Sequence, residues 1–186
     1  MANATRQQES EIRLALIYGS NREGRFCDTV VNWLAAQLER RGGYRLDLID
    51  PAETISDLRE RLDSADAFVV ITPEYNHGYP APLKALIDSA KAEWQAKPVA
   101  FVSYGGVSGG SRAVEQLRQV FAELHAVTLR DSVGFINAWE QFDGSGALRE
   151  PARAHSALAR MLAHLRWWTQ ALRGARQQNP YGEIAP

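Results

Sequence analysis

Ala67-Phe68-Val69-Val70-Ile71-Thr72-Pro73-Glu74-Tyr75-Asn76-His77-Gly78 is the stretch that decides the fold. It opens on an apolar run that is short and rich in β-branched and aromatic side chains, as suits a strand buried on both faces. Pro, Asn and Gly then punctuate a turn-rich loop. The same order recurs twice. Ile12–Tyr18 leads into Gly19-Ser20-Asn21-Arg22, and Val99–Ser103 leads into Tyr104-Gly105-Gly106-Val107-Ser108-Gly109-Gly110. Strands of a parallel sheet share a direction, so loops that follow them emerge on one carboxyl rim. In open α/β sheets that rim is where ligands bind.

Helical patterns fill the gaps. Asp28–Arg41 carries Val30, Val31, Leu34 and Leu38 as an apolar stripe and stops at Gly42-Gly43. A short helix is expected in Ser56–Ser64, another from Pro82 to Ala90, one over Ser111–Leu124 and a long one over Ala152–Leu172. Arg45–Asp50 and Val127–Arg130 complete a set of five strands. Alternating strands and helices with right-handed crossovers predict a doubly wound parallel sheet in the order 2-1-3-4-5. The organisation expected is a loose leader over 1–10, one domain over 11–172 and a polar tail over 173–186. Residues 132–150, mixing glycines with Trp139 and Phe142, give no clear pattern.

The chain has 186 residues, 45% hydrophobic and 23% charged, enough for one domain with a substantial core. A net charge of −1 gives no reason to expect nucleic acid or an anionic membrane as partner. Cys27 is the only cysteine, which excludes an internal disulfide and disfavours a thiolate metal cluster. No apolar run reaches the roughly 18 residues of a membrane span, and residues 1–11 lack an apolar signal core. A cytoplasmic protein is the simplest expectation.

The first loop has the features of an oxyanion cradle. It opens a helix, whose first N–H groups and dipole favour negative charge. Ser20 adds a hydroxyl, and Arg22 and Arg25 add guanidinium groups suited to phosphate. Gly19 and Gly24 have the spacing of P-loop glycines, but Arg25 and Phe26 stand where Lys and Ser/Thr are needed, so the Mg²⁺ hydroxyl is missing. The Rossmann G-x-G-x-x-G is absent too. A monophosphate held without metal fits better. The second loop can offer backbone groups, Asn76, Tyr75 and Tyr79 to the edge of a planar heterocycle. Glu74 equally suits a brace, and His77 reads as a solvated loop residue. No zinc spacing accompanies it and no G-x-S-x-G elbow occurs. In the third loop, glycines let a flat ligand approach the backbone closely.

Together, Gly19-Ser20-x-Arg22, Pro73-Glu74-Tyr75-Asn76 with Pro82-Leu83-Lys84 and Ile87-Asp88, and Gly105-Gly106-x-x-Gly109-Gly110-x-Arg112 resemble the NADPH-dependent FMN reductases, the group that includes quinone, azo and chromate reductases. The likeness runs from about Ile12 to Val133. It implies a flavodoxin-like three-layer sandwich, with FMN phosphate on Ser20 and Arg22. Pro73, Glu74, Tyr75 and Asn76 would line the isoalloxazine, and Tyr104, Gly105, Gly106 and Gly109 would face its other polar side. Many members carry Ser where this chain has Arg25, which would either bind the phosphate or point into solvent. Cys27 occupies a position where a small polar residue often assists the phosphate. The resemblance also implies a homodimer or homotetramer, NADPH or NADH as electron donor, and a small-molecule acceptor such as a quinone, azo compound, metal oxyanion or free flavin. FMN would carry the chemistry, with no catalytic side chain required. Two other readings remain open at this point. One is an FMN electron carrier without NADPH activity, disfavoured by the weak net charge. The other is a flavin-free interaction module, for which Trp94, Trp139, Trp167 and Trp168 would mark a contact surface.

Overall fold

The computed structural model describes residues 11–184; the expected leader over 1–10 lies outside the described residues. Five strands form one parallel sheet in the order β2-β1-β3-β4-β5. They are β1 (Ile12–Tyr18), β2 (Tyr44–Ile49), β3 (Ala67–Pro73), β4 (Pro98–Gly105) and β5 (Val127–Ile136). The helices are α1 (Cys27–Arg41), α2 (Leu58–Ser64), α3 (Ala81–Asp88), α4 (Ser111–Glu123), α5 (Ala138–Gln141) and α6 (Pro151–Gln178). This is the flavodoxin-like three-layer sandwich that the strand order predicts.

The unbroken apolar run of β3 has a direct cause. Successive side chains point to opposite faces of a strand, and both faces are covered here. Val69 and Ile71 join Leu14, Leu16 and Val102 beneath α1 and α6. Phe68 and Val70 join Ile17, Phe101, Leu117 and Trp94 beneath α2, α3 and α4. Trp94 is fully buried, stacks at a tilt on Phe68 with centroids 4.6 Å apart, and donates its indole N–H to Ile87 O at 3.1 Å. Among the described residues no helix is long and apolar enough to cross a membrane.

Two elements outrun the sequence pattern. β5 continues to Ile136 rather than ending near Arg130, after a register shift between Val99↔Thr128 and Phe101↔Ser132. Arg130, Asp131 and Ser132 hide the strand because it is an edge, and only alternate residues such as Leu129, Val133 and Phe135 are buried. α6 continues to Gln178, through the start of the expected tail. Tertiary contacts outweigh the helix-weakening Gly174: Arg173 pairs with Asp66 at 2.5 Å, and Arg176 donates to Ala96 O. At the same amino edge of the sheet, the buried Lys97 ammonium donates to Leu62 O at 2.9 Å and Asp63 O at 2.7 Å, closing the carbonyl end of α2. Burial holds that ammonium down at about 8.

Candidate functional site

Loop 1 is pressed against β3. Gly19 donates its N–H to Ile71 O at 2.7 Å, and a methyl group on Gly19 would lie 2.6 Å from that oxygen and 2.8 Å from Thr72 Cα. Only glycine lets the chain leave β1 by this path. Ser20 is buried, with Oγ 3.0 Å from the Tyr75 hydroxyl, and it accepts the Arg22 N–H at 3.4 Å. The Arg22 guanidinium lies over the Tyr75 ring, 3.7 Å from its centroid. No side chain caps the N-terminus of α1. The first turn of that helix therefore keeps N–H groups available beside Ser20 and Arg22.

Arg25 neither points into solvent nor stands free in the loop. Its Nε donates to Asp28 Oδ1 at 2.7 Å, and Nη1 donates to Ser20 O at 2.5 Å and Asp50 Oδ1 at 2.7 Å. Nη2 donates to Asp50 Oδ2. The fork-to-fork pair with Asp50 raises the guanidinium pKa and outweighs the effect of burial. Asp50, just past the end of β2, escaped the sequence reading as a site residue; an acid at the carboxyl end of a strand neighbouring β1 was the available signal. The Cys27 thiol is likewise turned inward. It is fully buried, with Sγ 3.6 Å from Ile71 O, and burial pushes its pKa up. Tyr104, buried on the same side, has a hydroxyl with no hydrogen-bond partner of good geometry.

Loop 2 folds into a tight turn. Tyr75 and Gly78 exchange N–H···O bonds of 2.9 and 3.1 Å. The two residues between them, Asn76 and His77, have positive φ of 50° and 70°. Asn is among the residues that tolerate this geometry. His77 O accepts from Gln116 Nε2 at 2.9 Å, which fastens the turn to α4. Pro73 is the last, buried residue of β3 and pairs with Tyr104 on β4.

Glu74 fastens loop 2 to loop 3. Its side chain is only 6% exposed; Oε1 accepts from Arg112 Nη1 at 2.8 Å and Oε2 from Arg112 N at 3.1 Å. Burial opposes ionisation, but hydrogen bonds from Ser108 and Arg112 outweigh it and hold the carboxyl below its usual range. The glycines of loop 3 divide into two kinds. Gly109 and Gly110 have φ of 59° and 85°, and a methyl group on Gly110 would meet Ser103 Cβ at 2.6 Å. Those two serve the packing of the loop itself. At Gly105 and Gly106 an added methyl group would meet nothing closer than 3.4 Å and 3.8 Å respectively. At Gly105 the nearest neighbours would be Gly110 N and Glu74 Cβ, and at Gly106 the Trp139 indole alone.

Arg22, Ser20, Tyr75, Glu74 and Gly105 thus belong to one connected rim. The more concave surfaces lie elsewhere. One of about 560 Å³ sits between α1 and the segment before α6, lined by Trp33 and His155. Another of about 740 Å³ lies at the amino edge, around Lys97 and Arg176. The placement of loops 1 to 3 outweighs cavity size here, because the rim combines uncapped N–H groups, an unpaired guanidinium and side-chain-free backbone. Arg22 makes no ion pair among the described residues.

A 2-1-3-4-5 parallel sheet flanked by helices, with these loops on its carboxyl rim, defines a flavodoxin-like protein. The family model for NADPH-dependent FMN reductases matches residues 12–140, and the chain belongs to that family. An NAD(P)H-dependent FMN reductase of Schizosaccharomyces pombe is 34% identical over 130 residues, covering 58% of this chain and 64% of the yeast protein. An NAD(P)H:quinone oxidoreductase of Solanum tuberosum is 36% identical over 139 residues, covering 70% of this chain and 67% of the potato protein. Among solved structures, the flavoenzyme NAD(P)H:(acceptor) oxidoreductase FerB of Paracoccus denitrificans superposes with a TM-score of 0.70 at 22% identity. That match covers 86% of this chain and 98% of FerB, and it supports the fold.

Proposed function

We propose that this chain is an FMN-dependent NAD(P)H oxidoreductase that passes electrons to a small organic or inorganic acceptor. The observation that carries the reading is Arg22 lying on Tyr75 beside Ser20 and the uncapped end of α1, continuous through Glu74 and Arg112 with the bare Gly105-Gly106 backbone. This donor set fits FMN. The cationic, N–H-rich end suits a phosphate without metal, and the side-chain-free end admits a flat ring.

FMN, when bound, would supply the redox chemistry, acceptance of a hydride and release of electrons. The protein's part is placement. Arg22, Ser20 and the first N–H groups of α1 would hold the phosphate. Arg25 and Cys27 serve from below: the Asp50 pair fixes the path of loop 1, and the thiol fills the core beneath it. Pro73 and Tyr104 form the floor where β3 and β4 end. Asn76 and the backbone from Pro73 to Tyr75 would line the ring. The Gly106 carbonyl is taken by the N–H groups of Gly109 at 3.0 Å and Asn137 at 3.1 Å, so what this residue offers the ring is its N–H. Donors at that edge stabilise negative charge on the ring. We assign a homodimer or homotetramer in the cytoplasm, on the family's habit and the ordinary composition of the chain.

The test is an absorption spectrum of purified protein incubated with FMN, followed by anaerobic NADPH and then NADH. The expected result is a protein-bound flavin band that bleaches on adding nicotinamide with no partner protein present. A chain that stays colourless after FMN would end the reading, and a bound flavin that neither donor bleaches would make it a carrier.

A further inference from the structure

Trp33 and Trp94 are buried, whereas Trp139, Trp167 and Trp168 are exposed. Trp167 and Trp168 lie within α6, and Trp139, 59% exposed, follows the carboxyl end of β5. The backbone of its turn is clamped there. α5 is a single turn that begins at Asn137, whose φ is +46°. The Asn137 N–H donates to Gly106 O at 3.1 Å, Glu140 N–H donates to Asn137 O at 2.8 Å, and Gln141 Nε2 donates to Ile136 O at 2.5 Å. On either side of this turn's outward face, Ala138 and Phe142 are buried, and the Phe142 ring packs on Phe26 and Phe135 with centroids 5.6 and 5.0 Å away. The indole comes within reach of Gly106, since a methyl group built there would lie 3.8 Å from Trp139 Cη2. Val107 and Ile136, both exposed, are its neighbours along the same two segments.

From this geometry we infer that Trp139 is a specificity-determining wall of the acceptor site, favouring planar aromatic acceptors of the quinone type over compact inorganic anions. The inference rests on the reading given under Proposed function. An indole has only two rotatable side-chain bonds, so it offers a large apolar face at small entropic cost, and the clamped turn fixes where that face stands. A planar quinone gains stacking from that face, whereas a hydrated inorganic anion gains nothing.

The experiment compares FMN-loaded wild type with Trp139→Ala and Trp139→Phe, using menadione and ferricyanide as acceptors. Trp139→Ala should raise the KM for menadione about five- to tenfold, as loss of an aromatic stack predicts. Its kcat and its KM for ferricyanide should stay unchanged, and Trp139→Phe should restore most of the menadione KM. Without nicotinamide, menadione should quench a tryptophan emission component that Trp139→Phe lacks. Equal changes for both acceptors, or none, would overturn the inference. So would loss of FMN from Trp139→Ala, which would make the indole a flavin contact, or a fall in oligomeric size, which would make it a subunit contact. Wild type that holds no FMN defeats the underlying reading instead, so the two failures are separable.

Discussion

Glu74 grips Arg112 twice, through the main-chain N–H at 3.1 Å and the guanidinium at 2.8 Å. One nearly buried carboxylate at the end of β3 therefore caps the first turn of α4 and sets the spacing between the second and third loops.

Replacing Glu74 by Gln removes that charge while keeping an acceptor. The carboxyl lies below its ordinary value of 4.5 in the folded chain. Its contribution is therefore complete above about pH 4.5 and is lost as pH falls through the lower folded value. Urea unfolding should show Glu74→Gln less stable by about 1–2 kcal/mol at neutral pH, with the gap from wild type closing in acid. A gap that does not depend on pH would mean that Glu74 acts by shape alone.

Arg22→Ala tests the phosphate end. A charge-assisted hydrogen bond contributes about 1.5–3 kcal/mol, so FMN affinity should fall roughly ten- to hundredfold. Riboflavin, which lacks the phosphate, should bind both proteins equally. Fluorescence titration of the flavin-free chain measures both ligands. Because Arg22 is exposed, its thermal midpoint should stay within a degree or so of wild type.

Two glycines in one loop should behave oppositely. At Gly110, positive φ and the 2.6 Å approach to Ser103 Cβ make Gly110→Ala destabilising by about 2–4 kcal/mol. At Gly106 an added methyl group meets only ordinary contacts, so Gly106→Ala should melt with wild type yet shift the flavin absorption band and weaken FMN. Differential scanning calorimetry paired with FMN titration separates the two effects. Equal melting losses would refute the division of the loop into a packing half and a ligand half.

Lys97 should give an unusual alkaline limb. Its folded pKa of about 8 lies below the ordinary 10.5, so between these values the unfolded chain holds more protons. Stability from this group therefore rises as pH climbs from about 8 to 10.5. Relative to Lys97→Met, wild type should gain roughly 2–3 kcal/mol over that interval. Taking the difference between the two proteins cancels the opposing titration of Cys27, whose thiol is raised. Parallel pH profiles would show Lys97 to be freely hydrated.

The central strands were legible because burial on two faces leaves an uninterrupted apolar signature, as at Phe68–Ile71 and Val99–Val102. The rim was legible because glycine and proline mark where strands turn. Edge and terminal elements were not. β5 is buried at alternate positions and carries Arg130 and Asp131 in its middle, so local pattern fails there. The end of α6 depends on Asp66 and Ala96, distant partners that no local window reveals. Arg25 shows the same limit within the site. Its residue type suggested a ligand, but whether a guanidinium faces an anion or a neighbouring carboxylate depends on β2 lying beside β1. The sequence also flagged Trp139 without revealing that Asn137 pins it against Gly106.

The Arg25–Asp50 clasp has a further effect on cofactor traffic. Because the loop is already cinched to the neighbouring strand, a phosphate held there, as proposed above, would meet a finished receptacle and need not organise one. Flavin loading should then be quick and should leave this loop's amide exchange almost unaltered. In return, the two positions are unequally yoked: loss of Asp50 leaves Arg25 with Asp28 and Ser20 O, whereas loss of Arg25 leaves Asp50 with the Ala52 N–H.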